Sequence, residues 1–265
     1  MASSGASAPD RVALVTGAGR GIGAATVRAL TARGWSVVAV DREDDDPRLP
    51  YALGRAGGSP PEAAGGRVVA HAADVTDLDA LAGAVALAEE RFGGLDAVVA
   101  AAGVIAGGAP HWEVAPEQER AVLEVDLGGV LNAARAGVPA LLRRPEPREG
   151  RFIAVASAAA VRGLPLLAAY CAAKAGVTGF IRALAVELAG TGVTANAVSP
   201  GSTRTPMLDE SARLYGIGAE DFATQQPLGR LLEPDEVAAF IAWLAGPESR
   251  GATGAVFPVD GGLAL

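Results

Sequence analysis

Three side chains in the middle of the chain, Ser157, Tyr170 and Lys174, are of the types that move a proton to or from an alcohol. Lys174 is the only lysine in the sequence, and it follows Tyr170 by four positions. That spacing places both side chains on one face of a helix. A compact ammonium beside a phenol favours the phenolate and lowers a pKa that is otherwise about 10. Arginine, broad and planar, does not substitute for lysine in such a place. The trio predicts Tyr170 as general acid and base, tuned by Lys174, with Ser157 hydrogen-bonding the substrate oxygen. Taken singly, these residues read as a solvated helix lysine, a buried phenol tied to backbone and a capping serine. A glycine pattern upstream turns the balance.

That pattern is Thr16-Gly17-Ala18-Gly19-Arg20-Gly21-Ile22-Gly23. It follows a predicted buried strand, Arg11–Val15, and opens a predicted helix that runs to about Arg33. Glycines here allow a tight turn, a close approach of backbone to a pyrophosphate, and close packing of helix on strand. The helix N-terminus adds unpaired N–H groups and a positive dipole end. A second strand, Ser36–Val40, ends in Asp41, where a carboxylate accepts hydrogen bonds from the ribose hydroxyls of NAD and repels the 2′-phosphate of NADP. Arg42 argues the other way, since a guanidinium can pair with that phosphate. NAD is the expected cofactor, with NADP as the alternative.

These residues, with Asp74-Val75, Ala102-Gly103 and Pro200-Gly201, make the chain resemble the classical short-chain dehydrogenase/reductase family from Val12 to Gly262. The resemblance implies a Rossmann-type fold, a bound nicotinamide nucleotide, and interconversion of an alcohol and a carbonyl. It assigns nucleotide contacts to Gly17, Arg20, Gly21, Ile22, Gly23, Asp41, Arg42, Asp74, Val75, Ala101, Ala102, Gly103, Pro200 and Gly201. It adds Thr203 and Thr205 toward the nicotinamide carboxamide and phosphates, and Tyr170 and Lys174 toward the nicotinamide ribose. Two positions depart from the family pattern. Ala100-Ala101-Ala102-Gly103 stands where Asn-Asn-Ala-Gly is common, which costs strand support more than binding. Asp126, in Val125-Asp126-Leu127, stands where the family has a catalytic Asn whose main-chain carbonyl holds a proton-relay water. Asp keeps that carbonyl but adds a charge expected to raise the pKa of Lys174 and alter the pH profile.

The elements that must hold these residues follow from composition. A chain of 265 residues, half of them hydrophobic, suffices for one α/β domain with a large core. Strand-like runs at 67–72, 97–101, 152–156, 194–198 and 255–258 alternate with helical ones and are apolar throughout, which predicts about seven strands in a doubly wound parallel sheet covered on both faces. The expected organisation is a disordered tail over residues 1–10, a single domain over 11–265, and a substrate lid at about 202–227. A single cysteine, Cys171, excludes an internal disulfide framework and reads as a packing residue. Met1–Pro9 carries no secretory signal pattern, no uncharged apolar stretch reaches spanning length, and a net charge of −8 argues against nucleic acid. The reading is a cytoplasmic protein with no membrane or nucleic-acid partner and no metal site.

The segment from Arg42 to Gly66 is rich in Pro and Gly, which disfavours a long regular helix. Its acidic run Glu43-Asp44-Asp45-Asp46 reads as a solvated loop in preference to a cation site. An extended loop here is expected to lie across the adenosine end of the cofactor. Asp46–Leu53, and later Gly201–Thr205, resemble the mycofactocin-associated branch of the family, which implies a nicotinamide that does not exchange freely and is reoxidised in place by a redox-peptide partner. Met207, Leu208, Leu214, Tyr215 and Phe222 belong to the predicted lid and, with Leu164 and Leu166, suit a small hydrophobic alcohol or ketone; core packing is the competing role. His111 and Trp112 either border the pocket or are structural. A helix from about Ala168 to Leu188, small or apolar on almost every face, predicts a homo-oligomer, dimer or tetramer. Two alternatives stay open: an NADPH-dependent reductase of carrier-bound ketoacyl groups, and a non-catalytic nucleotide sensor.

Overall fold

The computed structural model describes residues 11–53 and 66–265. The expected tail over 1–10 and the stretch 54–65 of the long segment lie outside the described residues. Seven strands form one sheet: β1 (Val12–Thr16), β2 (Ser36–Asp41), β3 (Val68–Ala72), β4 (Ala97–Ala100), β5 (Arg151–Val155), β6 (Thr194–Pro200) and β7 (Val256–Val259). Their order is β3-β2-β1-β4-β5-β6-β7, and every pairing is parallel. The bounds differ from the sequence reading by one or two residues at most ends. The expectation of strands buried throughout fails at the two edges. In β3, Ala70 and Ala72 are exposed, and β7 is only partly buried, because an edge strand has one neighbour and less cover.

Parallel pairing demands a crossover after each strand, and the intervening sequence supplies helices. On one face lie α1 (Gly21–Ala32) and α7 (Pro234–Ala245), packed over Val15, Val37, Val99 and Ile153. On the other lie α2 (Leu78–Phe92), α4 (Gly129–Arg143) and α5 (Ala168–Glu187), over Leu14, Val38, Val98 and Phe152. The local signals are readable: Asp77 caps α2 by accepting from the N–H groups of Asp79 and Ala80, and Gly93 ends it in the left-handed conformation at φ 80°. A short helix α3 (Pro116–Leu123) runs into α4 through a π-helical turn, Glu124–Gly128, that contains Asp126. Wide turns of this kind push a side chain out of helical register and recur at functional sites.

Chain order reverses between β1 and β4, so the carboxyl ends of the strands open a crevice at that point, where ligands of such sheets bind. Over one side of the crevice stands α6 (Pro206–Tyr215) followed by a 3-10 stretch, Ala219–Gln225. Leu208, Ala212, Phe222 and Leu231 form a small apolar cluster of their own, separate from the two main cores. That separation gives the predicted lid its own packing. Among the described residues, one helix, α5, is long and apolar enough to cross a bilayer by length and composition. It carries Lys174 and buries Val177, Ile181 and Leu184 against the sheet.

Candidate active site

The glycine turn is shaped by contacts that only glycine permits. Gly17 has φ 65°, and a Cβ there would lie 2.7 Å from Ala102 Cα; at Gly23 it would lie 2.0 Å from the Gly17 carbonyl oxygen. Thr16 Oγ1 accepts from the N–H groups of Ala101 and Ala102, stitching the end of β1 to the turn after β4. No side chain caps α1, so the first-turn amides at Gly21, Ile22 and Gly23 face the crevice as a ready anion site. Asp41, at the end of β2, accepts from the Gly19 N–H at 2.7 Å and from the Arg42 N–H at 2.9 Å. These bonds fix its carboxylate beside the turn. The arrangement fits a dinucleotide: amides for the pyrophosphate and an acid for a ribose.

Arg42 is drawn away from that ribose position. Its guanidinium pairs with Asp74 at 3.2 Å and Asp46 at 3.4 Å and donates to the Asp45 carbonyl. Asp74 in turn accepts from the N–H and hydroxyl of Thr76. The acidic run is not the fully solvated loop expected. Glu43, Asp44 and Asp45 are exposed, but Asp46 is buried and accepts from the Arg48 backbone N–H and side chain. Hydrogen bonding to Arg48, more than offsetting burial, holds its carboxyl down at about 2. Arg48 also pairs with Glu124, clamping this segment to the π-helical turn. Neutralisation of Asp46 by Arg42 and Arg48, which flank the acidic run, is what the charge pattern alone did not show.

A cleft of about 780 Å³ runs from this end to Ser157, Tyr170 and Lys174. Gly17, Arg20, Gly21, Ile22, Gly23, Asp41, Arg42, Asp74, Val75, Ala101, Ala102, Gly103, Ser157, Tyr170, Lys174, Pro200, Gly201, Thr203 and Thr205 all line it. Asp126 does not; it is wholly buried behind Lys174. The Thr203 and Thr205 hydroxyls are donated to the carbonyls of Gly201 and Thr203, and Thr205 caps α6. His111 and Trp112 form an exposed 3-10 turn outside the cleft lining, so they do not border the pocket. Sequence reasoning did not single out Tyr51, which lines the cleft and accepts the Ile105 N–H at 3.1 Å. Burial pushes its phenol up to about 12, so it stays protonated. The apolar run Leu49–Leu53 after the acidic one was the available signal.

Around the reacting end, Lys174 Nζ donates to the Val155 carbonyl at 3.1 Å and lies 3.2 Å from Asp126 Oδ2 and 5.6 Å from the Tyr170 ring centre. Asp126 Oδ1 accepts from the Val104 N–H at 2.8 Å. Burial works against the ammonium, but Asp126 and then Tyr170 hold the Lys174 pKa above its ordinary value, in the direction expected of an acid at 126. Burial pushes the Asp126 carboxyl up, while the Lys174 ammonium and the Val104 N–H pull the other way. Tyr170 corrects the sequence reading. Burial raises its pKa, Lys174 lowers it, Asp126 raises it and a Ser157 hydrogen bond lowers it, and the balance lies above the ordinary value. The phenol hydroxyl faces the Met207 sulfur at 3.8 Å.

With this geometry the family assignment follows from three comparisons. The family model described as "Enoyl-(Acyl carrier protein) reductase" matches residues 17–264. The chain is 40% identical over 263 residues to the short-chain reductase protein NovJ of Streptomyces niveus, covering 96% of this chain and 94% of that protein. It is 39% identical over 253 residues to the cis-4-hydroxycyclohexanecarboxylate dehydrogenase of Sinomonas cyclohexanicum, covering 96% of each. The crystal structure of the 3-ketoacyl-(acyl-carrier-protein) reductase from Brucella melitensis complexed with NADH superimposes with a TM-score of 0.85 at 30% identity, over 97% of this chain and all of that one. What the fold and cleft define is an oxidoreductase of nicotinamide type. The chain belongs to the short-chain dehydrogenase/reductase family.

Proposed function

We propose that this enzyme interconverts a small hydrophobic secondary alcohol and its ketone using NAD(H), with Tyr170 exchanging the hydroxyl proton. The observation that carries the reading is the cleft itself, which joins Asp41 and the glycine turn at one end to Ser157, Tyr170 and Lys174 at the other. A nicotinamide held there supplies the redox chemistry. Ser157 orients the substrate oxygen, Lys174 stabilises the Tyr170 phenolate, and Asp126 keeps Lys174 charged. NAD is favoured over NADP because Asp41 keeps a fixed carboxylate at the ribose position while Arg42 is held by Asp74, Asp46 and the Asp45 carbonyl. The apolar lid residues Met207, Leu208 and Phe222 favour hydrocarbon in the substrate. The dehydrogenase of Sinomonas makes 4-hydroxycyclohexanecarboxylate a rational first alcohol to test. The exposed small-residue face of α5, with Val186 76% exposed, supports a homo-oligomer.

The segment 42–53 supports the finer reading, a retained cofactor that a mycofactocin-type redox peptide reoxidises in place. Tyr51 bridges to Ile105 across the cleft, and Arg48 clamps the segment to Glu124. The test is mass analysis of nucleotide released by denaturing protein that was washed extensively without added cofactor. Stoichiometric NAD or NADH, with turnover of secondary alcohols on an artificial electron acceptor, is the expected result. Protein that emerges empty and turns over freely with added NAD overturns retention but leaves the dehydrogenase reading. No turnover of any secondary alcohol or ketone under either regime overturns both.

A further inference from the structure

We propose that the substrate is a monoanion, and that Arg162 pairs with its carboxylate at the mouth of the cleft. The inference rests on the alcohol–ketone reading and names the class of substrate for that site. Four arginines line the cleft: Arg20, Arg42, Arg162 and Arg213. Arg42 is held by Asp74 and Asp46, at the ribose end. Arg213 is held by both carboxylate oxygens of Glu210 at 2.8 and 2.5 Å. Arg20 belongs to the glycine turn. Arg162 alone stands at the substrate end with no carboxylate of the described residues against it; among those residues its guanidinium donates from Nη1 to the Leu263 carbonyl at 2.8 Å. Four N–H donors and the full charge are left for the exposed mouth.

The position of Arg162 is fixed relative to the chemistry. Its carbonyl lies 4.0 Å from the Cys171 sulfur, one residue past Tyr170. The loop that follows is pinned: Tyr215 donates to the Pro165 carbonyl at 2.6 Å, and Leu166 holds φ 63°, with its carbonyl accepting from the Gly108 N–H. A non-glycine residue in that conformation persists only where surroundings over-determine it. Leu164, Leu167 and Met207 line the same cleft as Arg162 and Tyr170, and the Met207 sulfur lies 3.8 Å from the Tyr170 hydroxyl. A ligand that fills this space therefore has an oxygen at Tyr170, hydrocarbon in the middle and an anion at the exit. One cation, on a chain of net charge −8 and with Asp209 in the same cleft, suits a single negative charge better than a phosphate dianion.

The test compares binding of cyclohexanecarboxylate and cyclohexanecarboxamide, nearly equal in shape, to the enzyme saturated with NAD, by calorimetry. The wild type is expected to prefer the carboxylate by about tenfold, the factor that corresponds to 1.4 kcal/mol. Arg162→Gln should bring the two to parity, and Arg162→Lys, which keeps the charge, should retain a preference. Parity in the wild type, binding of neither probe, or a preference that survives in Arg162→Gln overturns the proposal. Turnover separates the two readings: oxidation of neutral cyclohexanol with parity sinks the anion assignment alone. A clear carboxylate preference with no turnover of any alcohol sinks the redox reading and leaves the anion site standing.

Discussion

Replacing Asp126 by Asn should make the enzyme more active in acid. The variant is nearly isosteric, and its side-chain oxygen still accepts from the Val104 N–H that Oδ1 accepts from now. What disappears is a negative charge 3.2 Å from Lys174 Nζ, which itself lies 5.6 Å from the Tyr170 ring centre. The charge is therefore within about 9 Å of the ring, where two unit charges at an effective dielectric of 20 interact with about 2 kcal/mol. Burial first, and Asp126 in support, push the Tyr170 pKa up, which depletes phenolate on the acid side of the profile for alcohol oxidation. Removing Asp126 lowers that pKa, so the acid limb of kcat/KM moves to lower pH. The gain on that limb is expected to be about tenfold, corresponding to a loss of roughly 1.4 kcal/mol of repulsion. Full pH profiles of kcat/KM for both proteins provide the assay, with melting temperatures alongside to establish equal folding. A limb that stays in place, or that moves to higher pH, refutes the electrostatic role given to Asp126.

Tyr170→Phe should lower kcat by roughly 10²–10⁴-fold, the usual worth of a positioned acid or base, while calorimetric NAD affinity changes little. Unimpaired turnover in Tyr170→Phe refutes Tyr170 as the acid and base, whereas a wild type without turnover whose function survives Tyr170→Phe favours the sensor reading. Asp41→Ser should lower the ratio of kcat/KM with NAD to that with NADP by at least about tenfold, through loss of repulsion toward a 2′-phosphate; an unchanged ratio refutes the ribose assignment. Asp46→Asn should destabilise the protein near pH 7 by on the order of 1–2 kcal/mol in urea unfolding, because the folded carboxyl titrates at about 2 against 3.8 for the free side chain. A depressed carboxylate stabilises above its unfolded pKa and loses that contribution as pH falls through its folded one. The difference between variant and wild type should therefore shrink between about pH 4 and pH 2.

The fold and the nucleotide end were legible because they rest on local rules. Gly17 needs φ 65° and an approach to Ala102 that no side chain permits, so the requirement is written in the residue itself. Asp41 ends a strand whose length fixes its position beside the turn, and the Tyr170–Lys174 pair needs only the period of α5. The edge strands were less legible, since exposure of Ala70 and Ala72 depends on β3 having one neighbour, a property of sheet order and not of the run itself. Asp46 was hidden for a similar reason. Within Glu43–Asp46 it is one acid of four, and only the return of Arg48 and the reach of Arg42 make it the buried one.

The direction of the Tyr170 pKa shows where spacing stops being sufficient. An i, i+4 lysine brings a positive charge near the phenol, and that much is true in the structure. Spacing is silent about the solvent around the pair. Here α5, the lid and the exit of β5 bury Tyr170 to 8% and Lys174 to 3% exposure, so loss of hydration exceeds the help of the ammonium. Asp126 then acts with two signs at once: its charge keeps Lys174 protonated, and the same charge opposes the phenolate. An amide at 126 would remove both effects together. The acid thus exchanges reactivity of the phenol at low pH for a lysine that remains charged in a dry site, a trade set by one oxygen atom in a π-helical turn.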